Sequence, residues 1–188
     1  MRQLFFCHFT DRLSGERVRG LILPATEQDL LAWTGWRYSA EDEDKDWDWW
    51  SIYLESRLSE GRYECFAAFS ASGVQGLMLL DLSASEGKRR RAVVIDYLST
   101  NPANRSSRSG LKHVGIALLA VSILRSVELG RGGRIWLESL PGAEGFYQSL
   151  GMRKQPRRSA EGNSIYVLEP QAAKELLEEI RKEKIVNA

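Results

Sequence analysis

Cysteine is scarce in this 188-residue chain: Cys7 and Cys65 are too few for a disulfide framework. A reducing compartment, the cytoplasm, is therefore the expected location. Long apolar runs are missing as well. The longest, residues 114–124, is interrupted by Gly115 and Ser122 and is too short to span a bilayer, so no membrane role is expected. Residues 1–10 lack the apolar core and small-residue cleavage site of a secretory signal peptide. No internal repeat, low-complexity linker or G-x-S-x-G nucleophile elbow is present. Cys7-His8 has no companions at metal-ligand spacing, so no metal is expected. RNP and C₂H₂ patterns are absent, and no nucleic-acid partner is expected.

What is present reads as one ordinary globular domain over 1–188, with 43% hydrophobic and 27% charged residues. The net charge of +1 conceals a segregation. Residues 88–158 hold fourteen Lys/Arg against four Asp/Glu, leaving twelve basic and twenty-one acidic residues elsewhere. Two halves of opposite sign fit two ligands of opposite charge, or simple mutual neutralisation across one fold. The basic segment also raises a polyanion binder as an option, although its arginines are scattered over several elements.

Hydrophobic periodicity predicts a mixed order of elements. Residues 17–23 form a strand ended by Pro24. Thr26-Glu27-Gln28-Asp29 resembles a capping box opening a helix with Leu30, Leu31 and Trp33 inward. An acidic stretch, 41–48, leads into a second helix ending near Gly61. Strands at 63–70 and 74–82 are joined by a hairpin signal, Ala71-Ser72-Gly73. A polar turn at 83–91 precedes a β-rich strand, 92–100. A long, largely buried helix is expected over 111–129, then a strand at 134–140, a short helix at 143–150 stopped by Gly151, and a strand at 164–168. An amphipathic helix from 170 to 184 carries Ala173, Leu176, Leu177 and Ile180 on one face. Residues 1–16 offer an edge strand, and 170–188 a C-terminal helical extension whose apolar face suits the core or a homodimer seam.

The loop 101–113 and the helix after it carry the chemical signal. A helix N-terminus leaves unpaired N–H groups and about half a positive charge, which together favour an anion. Gly115 and Ala117 are small enough to let one approach the backbone. Lys112, Arg105 and Arg108 add positive charge. A loop that merely tolerates a glycine fits these residues too.

Residues Tyr97–Arg105 followed by Lys112-His113-Val114-Gly115-Ile116-Ala117 resemble the acyl-CoA motif of the GNAT superfamily of N-acetyltransferases. Ala143-Glu144-Gly145-Phe146-Tyr147-Gln148-Ser149-Leu150-Gly151-Met152 resembles that family's A-x-x-F-Y-x-x-x-G-F segment. Element order extends the likeness from Arg17 to about Leu168. Three departures stand out: Lys112 replaces the usual Arg or Gln, residues 106–111 lengthen the turn, and Leu140 stands where many relatives carry Asn.

The resemblance implies an α/β (α+β) fold whose central sheet is mixed and mostly antiparallel, flanked by helices, with two splayed central strands. It implies acetyl-CoA as cosubstrate. Its diphosphate would lie on the backbone of His113, Val114, Gly115, Ile116 and Ala117, beside Arg105, Lys112 and Phe146. Its pantetheine arm would pair with backbone near Leu98 and Thr100, and an N–H of Leu98 or Ser99 would polarise the thioester. Tyr147 would protonate the departing thiolate, or else is a core aromatic beside Phe146. Asp96, expected on one strand face with Leu98 and Thr100, or Glu138 would receive the amine's proton; ion pairing with arginine is the alternative for each. The stretch from Glu41 to Trp50 suits a cationic amine through carboxylates and indoles, or is a solvated loop followed by core tryptophans. The function implied is acetyl transfer to a primary amine of a small molecule or protein. The alternative is an acyl-CoA-binding module without transfer activity.

Overall fold

A computed structural model describes residues 4–59, 61–83, 91–105 and 108–187. Most of the turn expected at 83–91, two residues of the 106–111 insertion and the first three residues lie outside the described residues. Among the described residues ten strands form one sheet. They are β1 (Phe5–Asp11), β2 (Arg17–Pro24), β3 (Tyr63–Ser70), β4 (Gly73–Asp81), β5 (Val93–Thr100), β6 (Leu111–Lys112), β7 (Ile135–Ser139), β8 (Arg153–Arg158), β9 (Ser164–Leu168) and β10 (Val186–Asn187). Their spatial order is β10-β1-β2-β3-β4-β5-β7-β9-β8, with β6 attached to β1. The β5–β7 pair is parallel and the other pairs are antiparallel.

Five helices cover the sheet: α1 (Glu27–Trp33), α2 (Trp49–Leu58), α3 (Val114–Glu128), α4 (Glu144–Ser149) and α5 (Pro170–Lys182). On one face α3 and α5 close the larger core, where Leu118, Leu119 and Ile123 meet Phe66, Met78 and Leu80. Ser122 and Ser126 lie within that buried helix. Their hydroxyls donate to the Leu119 and Arg134 carbonyls, so their burial leaves no donor unpaired. On the other face α1 and α2 pack Leu30, Trp49 and Tyr53 against Ala67, Leu77 and Leu79.

The capping box at Thr26 and Asp29 forms as the sequence predicts. Three expectations are corrected. Leu31 is exposed, because the short α1 turns a narrow stripe inward and Leu30 occupies it. β1 is an inner strand rather than an edge, since β10 pairs along its outer side through Phe6↔Asn187 and Cys7↔Val186. The third helix begins at Val114 rather than Leu111. Residues 111–112 instead pair with the end of β1, through Thr10↔Lys112 and Asp11↔Leu111.

Two irregularities shape the middle of the sheet. β5 and β7 share three register pairs, Val93↔Ile135, Val94↔Trp136 and Ile95↔Leu137, and then separate. At the same level the β4–β5 ladder slips: Leu79 pairs with Tyr97 but Leu80 with Ile95, leaving Asp96 as a bulge residue. A bulge bends a strand and advances its side-chain alternation by one. Val93, Ile95 and Leu98 accordingly face the α3 core, whereas Tyr97 faces the α1–α2 core. The simple alternation that would give Asp96, Leu98 and Thr100 a common face does not hold.

Candidate active site

The gap between the diverging strands opens into cavities on two sides. The first, about 730 Å³, lies between the end of β5, the start of α3 and the start of α4. Leu98, Ser99, Thr100, Arg105, Lys112, His113, Val114, Gly115, Ile116, Phe146 and Tyr147 are among the residues that line it. Ala117 does not. Its side chain is fully buried in the core and its N–H donates to the His113 carbonyl at 2.9 Å, so its amide is spent within the helix.

The N–H groups of Val114, Gly115 and Ile116 precede that first helical bond and have no partner within α3. His113, at the N-cap, adopts φ 72°, a left-handed conformation uncommon for a side chain of its size. Burial pushes its imidazole below the usual histidine range. The charge of Glu183 opposes this, while Lys112 and Arg12 act in the same direction as burial. The missing side chain of Gly115 makes room for the Phe146 ring, which a Cβ would approach to 3.3 Å.

Arg105 has a different partner from the one expected. Its Nη1 donates to Asp42 Oδ1 at 2.6 Å and Asp44 Oδ1 at 2.7 Å. Its Nη2 donates to Asp44 Oδ2 at 2.6 Å, Ser99 Oγ at 3.2 Å and the Thr100 carbonyl at 2.7 Å. Burial opposes the guanidinium charge, but the bonds and charges of Asp44 and Asp42 prevail and hold it firmly protonated. The resemblance puts Arg105 beside a phosphate; here both its terminal nitrogens are committed to carboxylates, a hydroxyl and a carbonyl.

The acidic stretch is thus neither a solvated loop nor wholly core. It is a strap beside the first cavity, pinned on one side by Arg105. On the other side Glu43 Oε2 accepts the Gly142 N–H at 2.9 Å. The strap carries Trp47, whose ring meets Tyr97 edge-on with centroids 5.0 Å apart.

The second cavity, about 620 Å³, lies under α2 on the far side of the gap. Its walls include four carboxylates, Glu55, Asp96, Glu138 and Glu161, and four aromatic residues, Trp47, Tyr63, Tyr97 and Trp136. No lysine or arginine lines it among the described residues. The Tyr97 phenol registers this field. It is raised by burial first and then by the charges of Asp96, Glu55 and Glu161.

A small space of about 30 Å³ lies where the strands part. Asp96, Glu138 and Tyr147 all line it, with Trp47, Leu98 and Leu140. The structure therefore brings the three candidate catalytic side chains to one throat. Leu140, at the position where the sequence departs from the family motif, borders all three spaces and presents an apolar wall. The Tyr147 side chain is buried, and its hydroxyl has no hydrogen-bond partner among the described residues. Burial pushes its pKa above the ordinary phenol value, which keeps the proton on Oη.

Cysteine chemistry is absent from this arrangement. Burial raises both thiols to about 12, so neither is a thiolate at neutral pH. Among the described residues no cluster of His, Cys, Asp and Glu is suited to a metal, and no helix is long and apolar enough to cross a membrane.

Residues that sequence reasoning missed include Arg12 and Gly142. Arg12 follows β1, about a hundred residues from the helix it faces, and no local motif marks it.

No family model and no curated protein matches the sequence. Solved structures match its fold. Aminoglycoside acetyltransferase AAC(6')-Ib, solved with coenzyme A and kanamycin, superposes with TM-score 0.61 at 16% identity, over 82% of this chain and 96% of that one. A Desulfovibrio desulfuricans protein assigned to the GNAT acetyltransferases gives 0.57 at 17% identity, over 80% and 99%. The PaiA N-acetyltransferase of Thermoplasma acidophilum, in complex with coenzyme A, gives 0.54 at 14%, over 80% and 98%. The chain has the fold of these acetyltransferases.

Proposed function

We propose that this chain, built on the GNAT fold, transfers an acetyl group from acetyl-CoA to a primary amine. The observation that carries the reading is the throat. It lies between a cavity walled by main-chain amides that have no partner within α3 and one walled by carboxylates and aromatic rings, with Tyr147 at its edge.

The residues present fit the donor. The amides of Val114, Gly115 and Ile116 would hold its diphosphate, with Lys112 beside them. The inner edge of β5 beyond Ile95 has lost β7 as a partner, which leaves room for an extended arm to add as a strand. When bound, acetyl-CoA supplies the activated acyl carbon.

The chain's own groups would do the rest. A main-chain N–H at Leu98 or Ser99 would polarise the carbonyl. Asp96 or Glu138 would accept the proton that the amine gives up. Tyr147 would hold a proton at Oη and deliver it to the departing sulfur. Apolar walls of the throat, among them Trp47, Ile95, Leu98, Leu137 and Leu140, limit water around these groups.

The second cavity supports a cationic acceptor, because its carboxylates attract an ammonium and its rings offer cation–π contact. The test is calorimetry with acetyl-CoA, followed by an amine panel read by free-thiol release. Donor binding together with thiol release that depends on a cationic amine is the expected result. No binding at sub-millimolar donor overturns the reading. Binding without release across the panel leaves an acyl-CoA-binding module.

A further inference from the structure

The commitment of Arg105 to the acidic strap leaves the donor cavity without the guanidinium that the sequence assigns to it. A second guanidinium is present. Arg12 lines the same cavity, at the turn that follows β1. The zipper Thr10↔Lys112 and Asp11↔Leu111 fastens the end of β1 to the residues just before α3. The Arg12 N–H then donates to the Gly110 carbonyl at 2.9 Å. Gly110 can occupy this place because it has φ +83° and no Cβ, which would lie 2.3 Å from the Ala103 carbonyl oxygen. Arg12 is therefore fixed at the base of the loop that precedes the helix N-terminus.

Among the described residues its side chain has no counterion. Nε is shielded from solvent and has no hydrogen-bond partner among the described residues. The adjacent carboxylate of Asp11 is occupied by the Leu13 and Ser14 amides and the Ser14 hydroxyl. With no ion-pair partner among the described residues, the guanidinium can serve an anion in the cavity that Arg12 lines. The anionic groups of an acyl-CoA donor are its phosphates. We propose that Arg12 is a phosphate ligand of the donor and takes the place that the sequence gives to Arg105. This assignment rests on the acetyl-CoA reading above.

The experiment is calorimetric titration of acetyl-CoA, acetyl-dephospho-CoA and acetyl-pantetheine into the wild type, Arg12→Gln, Arg12→Lys and Arg105→Gln. Arg12→Gln should weaken acetyl-CoA by roughly tenfold or more while leaving acetyl-pantetheine within about twofold, the behaviour of a lost charge-assisted bond. Arg12→Lys, which keeps the charge but not the fork, should fall between. Arg105→Gln should leave the ratio of the two affinities unchanged. A loss that vanishes with the dephospho donor assigns Arg12 to the 3′-phosphate, and a loss that persists assigns it to the diphosphate. Equal losses for acetyl-CoA and acetyl-pantetheine, or none for either with both Arg12 variants, overturn the assignment. A wild-type protein that binds no donor overturns the acyl-transfer reading instead.

Discussion

The two cavities flank the same pair of strands, yet their described walls differ in charge. The donor side contains carboxylates too, but Asp42 and Asp44 are bound by Arg105, and Glu43 is bound by the Gly142 amide. Its remaining donors are helix amides, Lys112 and Arg12. The acceptor side has four carboxylates and no basic residue in its described wall. The basic residues of the two described walls thus lie on the donor side alone. A residue count would still make that side acidic, but three of its four carboxylates, Asp42, Glu43 and Asp44, are already bound.

The largest expected effect concerns the donor side alone. Gly115→Glu crowds the Phe146 ring and places a carboxylate beside the free amides. Donor binding should fall by about a hundredfold or more, read by calorimetry, since an anion and an unpaired charge would face each other. Retained affinity would mean that phosphate binds elsewhere.

Tyr147→Phe tests the throat between the regions. Turnover should fall about a hundredfold, the scale of a lost general acid, with donor affinity unchanged. Because burial raises the Tyr147 pKa, the wild-type pH–rate profile should show no alkaline fall from this group up to about pH 10. An alkaline limb that disappears in the Phe variant would contradict the assignment.

Asp96→Asn and Glu138→Gln probe the acceptor side. Each should raise the KM for a cationic amine several-fold, and added salt should shrink the difference. The residue that accepts the proton should in addition lower kcat. Donor affinity should not respond to either change, and if it does, the two cavities are not independent.

The smallest effect on chemistry, though not on folding, belongs to Arg105→Gln. It strands the buried Asp44 carboxylate and should destabilise the protein by about 3 kcal/mol, measured by denaturant unfolding. Burial works to raise the Asp42 carboxyl, but the Ser39 amide and Arg105 hold it below the ordinary range. Such a depressed group contributes stability above its unfolded pKa, about 4, and loses it as pH falls through the lower folded value. Wild type and variant should therefore converge in stability under acid.

Much of this arrangement was legible in the sequence, and the remainder was hidden for physical reasons. The blocks around Gly115 and Tyr147 carry a resemblance that implies two splayed strands, and β5 and β7 do part after Ile95. The bulge at Asp96 did not show. A register slip is decided jointly with β4, and β5 alone reads as regular alternation. The partners of Arg105 lie some sixty residues upstream, so charge near a phosphate loop was read as phosphate binding. The start of α3 moved from Leu111 to Val114 because pairing with β1 claims the intervening residues, a tertiary demand that helical periodicity does not encode.

One surplus residue in β5 has an outsized consequence. With Asp96 removed, the β4–β5 ladder could run without a slip. Leu98 and the residues after it would exchange faces, and the strand would lose the bend that accompanies its departure from β7. For a protein built this way, gaining or losing a single amino acid in that strand is a more drastic event than replacing any side chain around it.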